Sequence, residues 1–120
     1  MSLFKRVDTV FLPVLDLDAA VTWYTETFGF NLRWKQGGYA AIDAGETPFT
    51  LHEPEEGFTP VKRLCFNFYT TDLEAARRRL EAAGASIGSA SEDAQFGFFE
   101  FTDPDGNLLG VCWYPEQTSP

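Results

Sequence analysis

Side chains able to do chemistry are few in this chain, and their spacing limits what that chemistry can be. There is one histidine, His52, and there are two cysteines, Cys65 and Cys112. No imidazole cluster for a divalent metal can be assembled from a single histidine. The cysteines stand apart in apolar stretches, without the close pairing of a zinc site or a disulfide framework. Each reads as a small core hydrophobe and not as a nucleophile. His52 can switch charge near neutrality, so it is a candidate base or ligand contact. The simpler reading is a half-exposed strand residue beside a linker. Asn67 both donates and accepts hydrogen bonds, and in an apolar interior it needs a partner. That partner is either a bound molecule or a structural group.

These residues must be positioned by strands and helices, and the sequence states the plan twice. Asp16–Leu17–Asp18–Ala19–Ala20 returns as Asp72–Leu73–Glu74–Ala75–Ala76. Each copy follows an apolar strand-like run and opens a helix-like run, the mark of an internal repeat. Val7–Val14 is a strand, with Pro13 near its end, where a missing N–H matters least. Asp16 caps a helix whose stripe is Leu17, Ala20, Val21, Tyr24 and Phe28, and Gly29 stops it. Trp23 and Tyr24 on that helix are packing or dimer-interface residues. Strands follow at Asn31–Gln36, Tyr39–Asp43 and Phe49–Glu53, the first two joined by a Gly37–Gly38 hairpin turn.

Glu53–Pro60 breaks all periodicity and reads as a linker, dividing the chain into modules 1–56 and 57–120. The order then restarts: strand Lys62–Tyr69, a helix capped by Asp72 with stripe Leu73, Ala76, Leu80 and Ala83, and a stop at Gly84. Strands near Ala85–Gly88, Gln95–Thr102 and Leu108–Tyr114 complete it. Asp103–Pro104–Asp105–Gly106–Asn107 is dense turn chemistry between the last two. The fold class is α+β, two tandem βαβββ modules. One helix covers one face of each small sheet, so the other face must be buried against something. The sheets are expected to curl around a shared cavity, closing on each other or on a partner chain.

Strand alternation then assigns the cavity side. Leu64, Phe66 and Phe68 form a helix-facing row, leaving Arg63, Cys65, Asn67 and Tyr69 on the open face. Thr9 and Phe11, Thr50 and His52, and Gly110, Cys112 and Tyr114 face inward from other strands, with Trp113 towards the helix. The middle strands add Trp34 or Tyr39, and one row from Phe96, Phe98 or Phe99. Aromatic walls with a few placed polar groups suit a small molecule. The candidate ligand contacts are Trp34, Tyr39, Thr50, His52, Cys65, Asn67, Phe98, Cys112 and Tyr114. No catalytic residue, metal ligand or cofactor is assigned.

Bulk composition bounds the partners. A 44% hydrophobic and 16% aromatic chain of 120 residues has ample material for a core, which excludes intrinsic disorder. Nine basic against eighteen acidic residues give a net charge of −9. Nucleic acids and anionic membranes demand a positive field, so neither is an expected partner. The charge could attract a cationic ligand or simply keep the chain in solution. Arg77–Arg78–Arg79 is no basic patch, because Glu74 lies four before Arg78, and Glu81 four after Arg77. No apolar run approaches the roughly 20 residues of a membrane helix, and the first residues lack the apolar segment of a signal peptide. A cytoplasmic location with free thiols is the economical expectation.

Phe11–Leu12–Pro13–Val14 with Asp16–Leu17, then Phe28–Gly29–Phe30, then Thr102–Asp103–Pro104–Asp105–Gly106–Asn107 resemble the vicinal oxygen chelate superfamily of glyoxalases, extradiol dioxygenases and bleomycin-resistance-type proteins. The resemblance covers essentially the whole chain. It implies a glyoxalase-like fold and a homodimer, but no single function, since this fold hosts isomerases, oxygenases, lyases and binders. Metal-using members take one ligand from the first and one from the last strand of each module. Aligned on the motifs, those positions fall on Thr9, Thr50, Cys65 and Gly110. A neutral hydroxyl is a poor ligand and glycine has no side chain, so the metal site reads as lost. Shifting the register by one moves the positions onto apolar residues such as Val10 and Val111, which is no better for a metal. The expected function is metal-free binding of a small, cationic or aromatic molecule, as in bleomycin-resistance-type members. The alternatives are a metal-dependent or metal-free lyase, isomerase or dioxygenase, and a regulatory or immunity module whose cavity is vestigial.

Overall fold

Each helix begins where an aspartate can satisfy a helix N–H that has no partner within the helix. In a computed structural model of the protein, describing residues 2–116, the Asp16 carboxylate accepts from Ala19 N and that of Asp72 from Ala75 N, both at 3.0 Å. These are equivalent N-caps of the two repeats. Helix α1 (Leu17–Phe28) carries a second one that the sequence did not announce. Glu53, just past the fourth strand, accepts from Leu17 N at 2.6 Å. A second carboxylate at the positive end of the helix dipole ties strand and helix together. Gly29 closes α1 with φ 75°, a conformation that a side chain would disfavour.

The first unit runs β1 (Val10–Pro13), α1, β2 (Asn31–Gln36), β3 (Tyr39–Asp43) and β4 (Phe49–His52). The second runs β5 (Asn67–Tyr69), α2 (Leu73–Ala82), β6 (Ser86–Glu92), β7 (Gly97–Thr102) and β8 (Leu108–Trp113). They divide between Thr59 and Pro60. Their sheets have the same plan, β1-β4-β3-β2 and β5-β8-β7-β6. In each, the first strand pairs in parallel with the last and the other pairings are antiparallel. Even the irregularities repeat, for β2 bulges between Leu32 and Trp34 and β6 between Ile87 and Ala90. Each module is therefore the βαβββ unit expected from the duplicated sequence.

The first unit's core lies between α1 and one face of its sheet. Leu12, Ala40, Ile42, Phe49 and Leu51 alternate out of the strands to meet Leu17, Ala20 and Tyr24, all buried. Tyr24 packs edge-on against Phe49 at 5.3 Å between ring centres and stacks on Phe28 at 5.6 Å. Val21 and Phe28, expected in the stripe, are only half-buried, while Thr27 is buried. In the second unit Phe99, Phe101, Leu109 and Val111 make the core with Leu80. Of the expected α2 stripe only Leu80 is buried. The helix is short and heavily charged. Its Arg77 and Arg78 both reach Glu74, which makes the solvated face that the spacing implied.

Strand boundaries needed correction at several places. β1 begins at Val10 rather than Val7, and β6 continues past its bulge to Glu92 because β7 offers it partners that far. The expected strand Lys62–Tyr69 is regular only over Asn67–Tyr69. Before that the chain is held by single bonds: Leu108 N donates to Val61 O at 2.8 Å, and Gly110 N to Phe66 O at a stretched 3.3 Å. With no ladder, alternation fails there. Phe66 and Phe68 stay together, their rings 5.3 Å apart, but Leu64 swings against Gly110 instead of packing on α2.

The Asp103–Asn107 turn does more than reverse the chain. Asn107 is completely buried and Asp103 nearly so. The Asp103 carboxylate accepts from the backbone N–H groups of Asp105 and Asn107. Asn107 donates its amide to Asp103 at 3.3 Å and accepts from Val61 N at 2.8 Å. This turn therefore clamps the chain entering the second unit.

Candidate functional site

The open face of the first unit's sheet is built by the residues that alternate away from α1. Phe11 of β1 lies opposite Thr50 of β4, which lies opposite Ala41 of β3, which lies opposite Trp34 of β2. Paired residues share a face, so this row crosses the whole sheet. Tyr39 and His52, the next paired couple, run beside it. The row forms a concave groove of about 400 Å³, lined by Thr9, Phe11, Trp34, Tyr39, Ala41 and Thr50, with Asp8, Arg33 and Pro48 also contributing.

Its aromatic walls stand ready in the open. Trp34 is 48% and Tyr39 47% exposed, which is much apolar surface left in water. Phe11 meets Tyr39 edge-on at 6.5 Å and His52 at 6.0 Å. Tyr39 and His52 stack nearly parallel, 5.8 Å apart. His52 is half-buried in that stack, as a strand residue, and it supports Tyr39. At the floor, Thr9 and Thr50 hydroxyls are 2.9 Å apart, and Thr9 also reaches Pro48 O at 3.2 Å. Both charged groups of the groove already have partners, Arg33 with Asp43 at 2.7 Å and Asp8 with Arg6 at 3.2 Å.

The open face of the second unit is different in kind. Asn67 lies opposite Gly110, which lies opposite Glu100; Tyr69 lies opposite Cys112, which lies opposite Phe98. A side chain at Gly110 would run into the Asn67 carboxamide, and would come within 2.8 Å of the Phe98 ring and 3.2 Å of a Leu64 methyl. These neighbours therefore fill the space that a residue at 110 would use. Tyr69 donates to Tyr114 O at 2.6 Å, and the two rings pack at 4.8 Å. Trp113 lies opposite Gly97, which faces Leu73, so it does sit towards the helix.

The cysteines are not core residues. Cys65 is exposed, Cys112 is half-buried, and both are free thiols. Cys65 lies in the irregular stretch before β5, where no strand holds it inward. Partial burial of the sulfur, and then the Asp103 carboxylate, push the Cys65 thiol above the ordinary cysteine value. Burial alone does so for Cys112. A raised value means less thiolate at neutral pH and a weaker nucleophile. Alkylation by iodoacetamide should therefore be slow at pH 7 and keep accelerating above pH 9, read by mass spectrometry of each cysteine peptide. Fast modification at pH 7 would contradict this.

Of the candidate contacts, Trp34, Tyr39 and Thr50 line one groove, with His52 stacked behind Tyr39. Asn67, Phe98 and Cys112 share the second unit's open face, where Tyr114 packs on Tyr69, while Cys65 is exposed in the irregular stretch before β5. Phe11 and Thr9 were missing from that candidate list, though strand alternation already pointed both inward. Among the described residues, no three His, Cys, Asp or Glu side chains gather where they could hold a metal. A metal implied by the family resemblance finds no donor set at Thr9 and Thr50, whose hydroxyls bond to each other, nor at Gly110, which the neighbouring side chains crowd.

A sequence profile described as the Glyoxalase/Bleomycin resistance protein/Dioxygenase superfamily matches residues 6–111. An uncharacterized protein of Mycolicibacterium smegmatis is 34% identical over 83 residues, covering 68% of this chain and 70% of that protein. Among solved structures, a glyoxalase/bleomycin resistance protein from Streptomyces sp. CB03234 is 25% identical, with TM-score 0.72 over 88% of this chain and 98% of its own. TnmS3, an antibiotic binding protein from the same source, superposes with TM-score 0.79 at 24% identity over 95% and 99%. Lactoylglutathione lyase from Agrobacterium tumefaciens does so with TM-score 0.75 at 22% identity over 93% and 96%.

Proposed function

Because this chain belongs to the glyoxalase/bleomycin resistance protein/dioxygenase superfamily, we propose that it binds a small planar aromatic molecule, reversibly and without a metal, in the groove of its first unit. The fold is shared by an antibiotic binding protein and by a lyase, so fold alone does not choose between binding and catalysis. The observation that carries the choice is the pairing of exposed Phe11, Trp34 and Tyr39 with a Thr9–Thr50 floor at positions where metal-using relatives would keep ligands. Flat apolar walls capture a ring, and the floor has no group able to activate water or polarise a carbonyl. No helix among the described residues is long and apolar enough to cross a membrane. The reading includes a homodimer in a reducing, cytoplasmic setting. The free thiols support that setting, and exposed Leu3, Phe4 and Val7 support contact with a second copy.

Titration with ethidium, a planar cation, and with indole, a neutral ring, tests this reading. At least one of them should quench tryptophan fluorescence saturably, with most of the change lost in Trp34→Phe. The titration should be the same before and after EDTA, and elemental analysis should find less than about one divalent ion per ten chains. Stoichiometric metal with chelator-sensitive binding would establish the metal-dependent alternative instead. An absence of saturation with either probe would end the binding reading.

A further inference from the structure

The hydroxyl pair at the groove floor has a direction. Thr9 Oγ1 has two backbone carbonyls within reach, Pro48 O at 3.2 Å and Val10 O at 3.3 Å, as well as Thr50 Oγ1 at 2.9 Å. Thr50 Oγ1 has Thr9 Oγ1 as its one acceptor among the described residues. A hydroxyl carries one proton to give and two lone pairs to receive with. The arrangement that uses both protons is a relay, with Thr50 donating to Thr9 and Thr9 donating to Pro48 O. Reversing the first bond would take the Thr9 proton from Pro48 O and leave the Thr50 proton with no acceptor among the described residues, in a side chain only 3% exposed, so the relay is the better-paired arrangement. The relay leaves Thr50 with lone pairs and no proton to offer at the bottom of a groove walled by Phe11, Trp34 and Tyr39.

We infer that the site selects aromatic molecules carrying an N–H or O–H on the ring edge, and that Thr50 is the acceptor that reads it. This inference rests on the binding reading given above and adds a specificity to it. It also reverses the chemistry of the position. A metal there would attract lone-pair oxygens of a substrate, whereas Thr50 attracts a proton donor and gives a bare carbonyl no reward. Charge plays little part, since Asp8 and Arg33 are each already paired. Within the groove the donor can therefore be neutral, although the whole chain is acidic.

Indole and 1-methylindole differ in this one proton and fill nearly the same volume, and their affinities can be compared by ligand-observed NMR. For the unaltered protein, indole should bind about fivefold tighter, the worth of one hydrogen bond at a partly dry site. Thr50→Val, which keeps the shape, should weaken indole by about that factor and leave 1-methylindole unchanged. Thr50→Ser should restore the preference. A purely structural role for the pair would move both probes together. Equal affinities in the unaltered protein, or an equal loss of both in Thr50→Val, would overturn the inference while leaving the groove a binding site. If neither probe binds, while circular dichroism shows a folded chain, the binding reading and this inference fall together.

Discussion

Replacing Asn107 by Leu should cost the protein about 3 kcal/mol of stability, lowering its melting temperature by roughly 10 °C. Leucine keeps the branching and is larger, so the loss reports missing hydrogen bonds with some crowding, and not a cavity. Asn107 is fully buried, and its amide holds Val61 N on one side and the Asp103 carboxylate on the other. Leucine takes one partner from the Val61 N–H and one from the Asp103 carboxylate, and each hydrogen bond lost at a site that water cannot reach costs about 1–3 kcal/mol. Gln95→Ala, at an exposed turn outside this network, should change the melting point by less than about 2 °C. A melting curve for Asn107→Leu within that same range would show that the clamp is not what holds the chain entering β5.

Removing both Trp34 and Tyr39 as alanines should have the opposite profile, with binding lost and stability kept. Loss of two aromatic walls at the centre of a contact costs 2 kcal/mol or more, which is a loss of affinity of about 30-fold or greater for indole or ethidium. Both side chains are about half exposed in the free protein. Neither belongs to the buried core between sheet and helix, so the melting temperature should fall by less than in Asn107→Leu. Phe11→Ala should weaken binding less, because Tyr39 keeps its stacking partner His52. An unaltered affinity in the double variant would move the site away from the first unit, with the open face of Asn67, Phe98 and Cys112 the next to test.

The two predictions separate what this fold needs from what its site needs. Asn107 belongs to the turn that marks the family in the sequence, and the structure gives that turn a scaffold duty. Trp34 and Tyr39 belong to no motif and leave about half of their surface in water. Residues with this combination, large, apolar, exposed and aligned on one face, are where a binding function leaves its trace.

Much of the architecture was legible in the chain itself. The repeated Asp-Leu-acid-Ala-Ala marked two helix starts by local chemistry, a carboxylate reaching the N–H three residues on, which needs no tertiary context. The alternation in Phe49–His52 gave the correct faces, because a regular ladder enforces a two-residue period, whereas the facing of Phe98 and Phe99 was left open and is fixed by their pairing with β8. Alignment on the family motifs put Thr9 and Thr50 among the four positions of one implied ligand set, and the parallel pairing of β1 with β4 does bring their hydroxyls together. Only tertiary structure could decide the rest. Lys62–Phe66 looked like strand, but its pairing depends on how β8 receives it, and side-chainless Gly110 drew Leu64 to the wrong face. Cys65 looked apolar and buried, yet burial depends on neighbours, and no strand carried it inward. The direction of the hydroxyl relay, and with it the kind of molecule the groove should prefer, hangs on the Pro48 carbonyl. That group has no side-chain signature, and only the folded chain brings it within reach of Thr9.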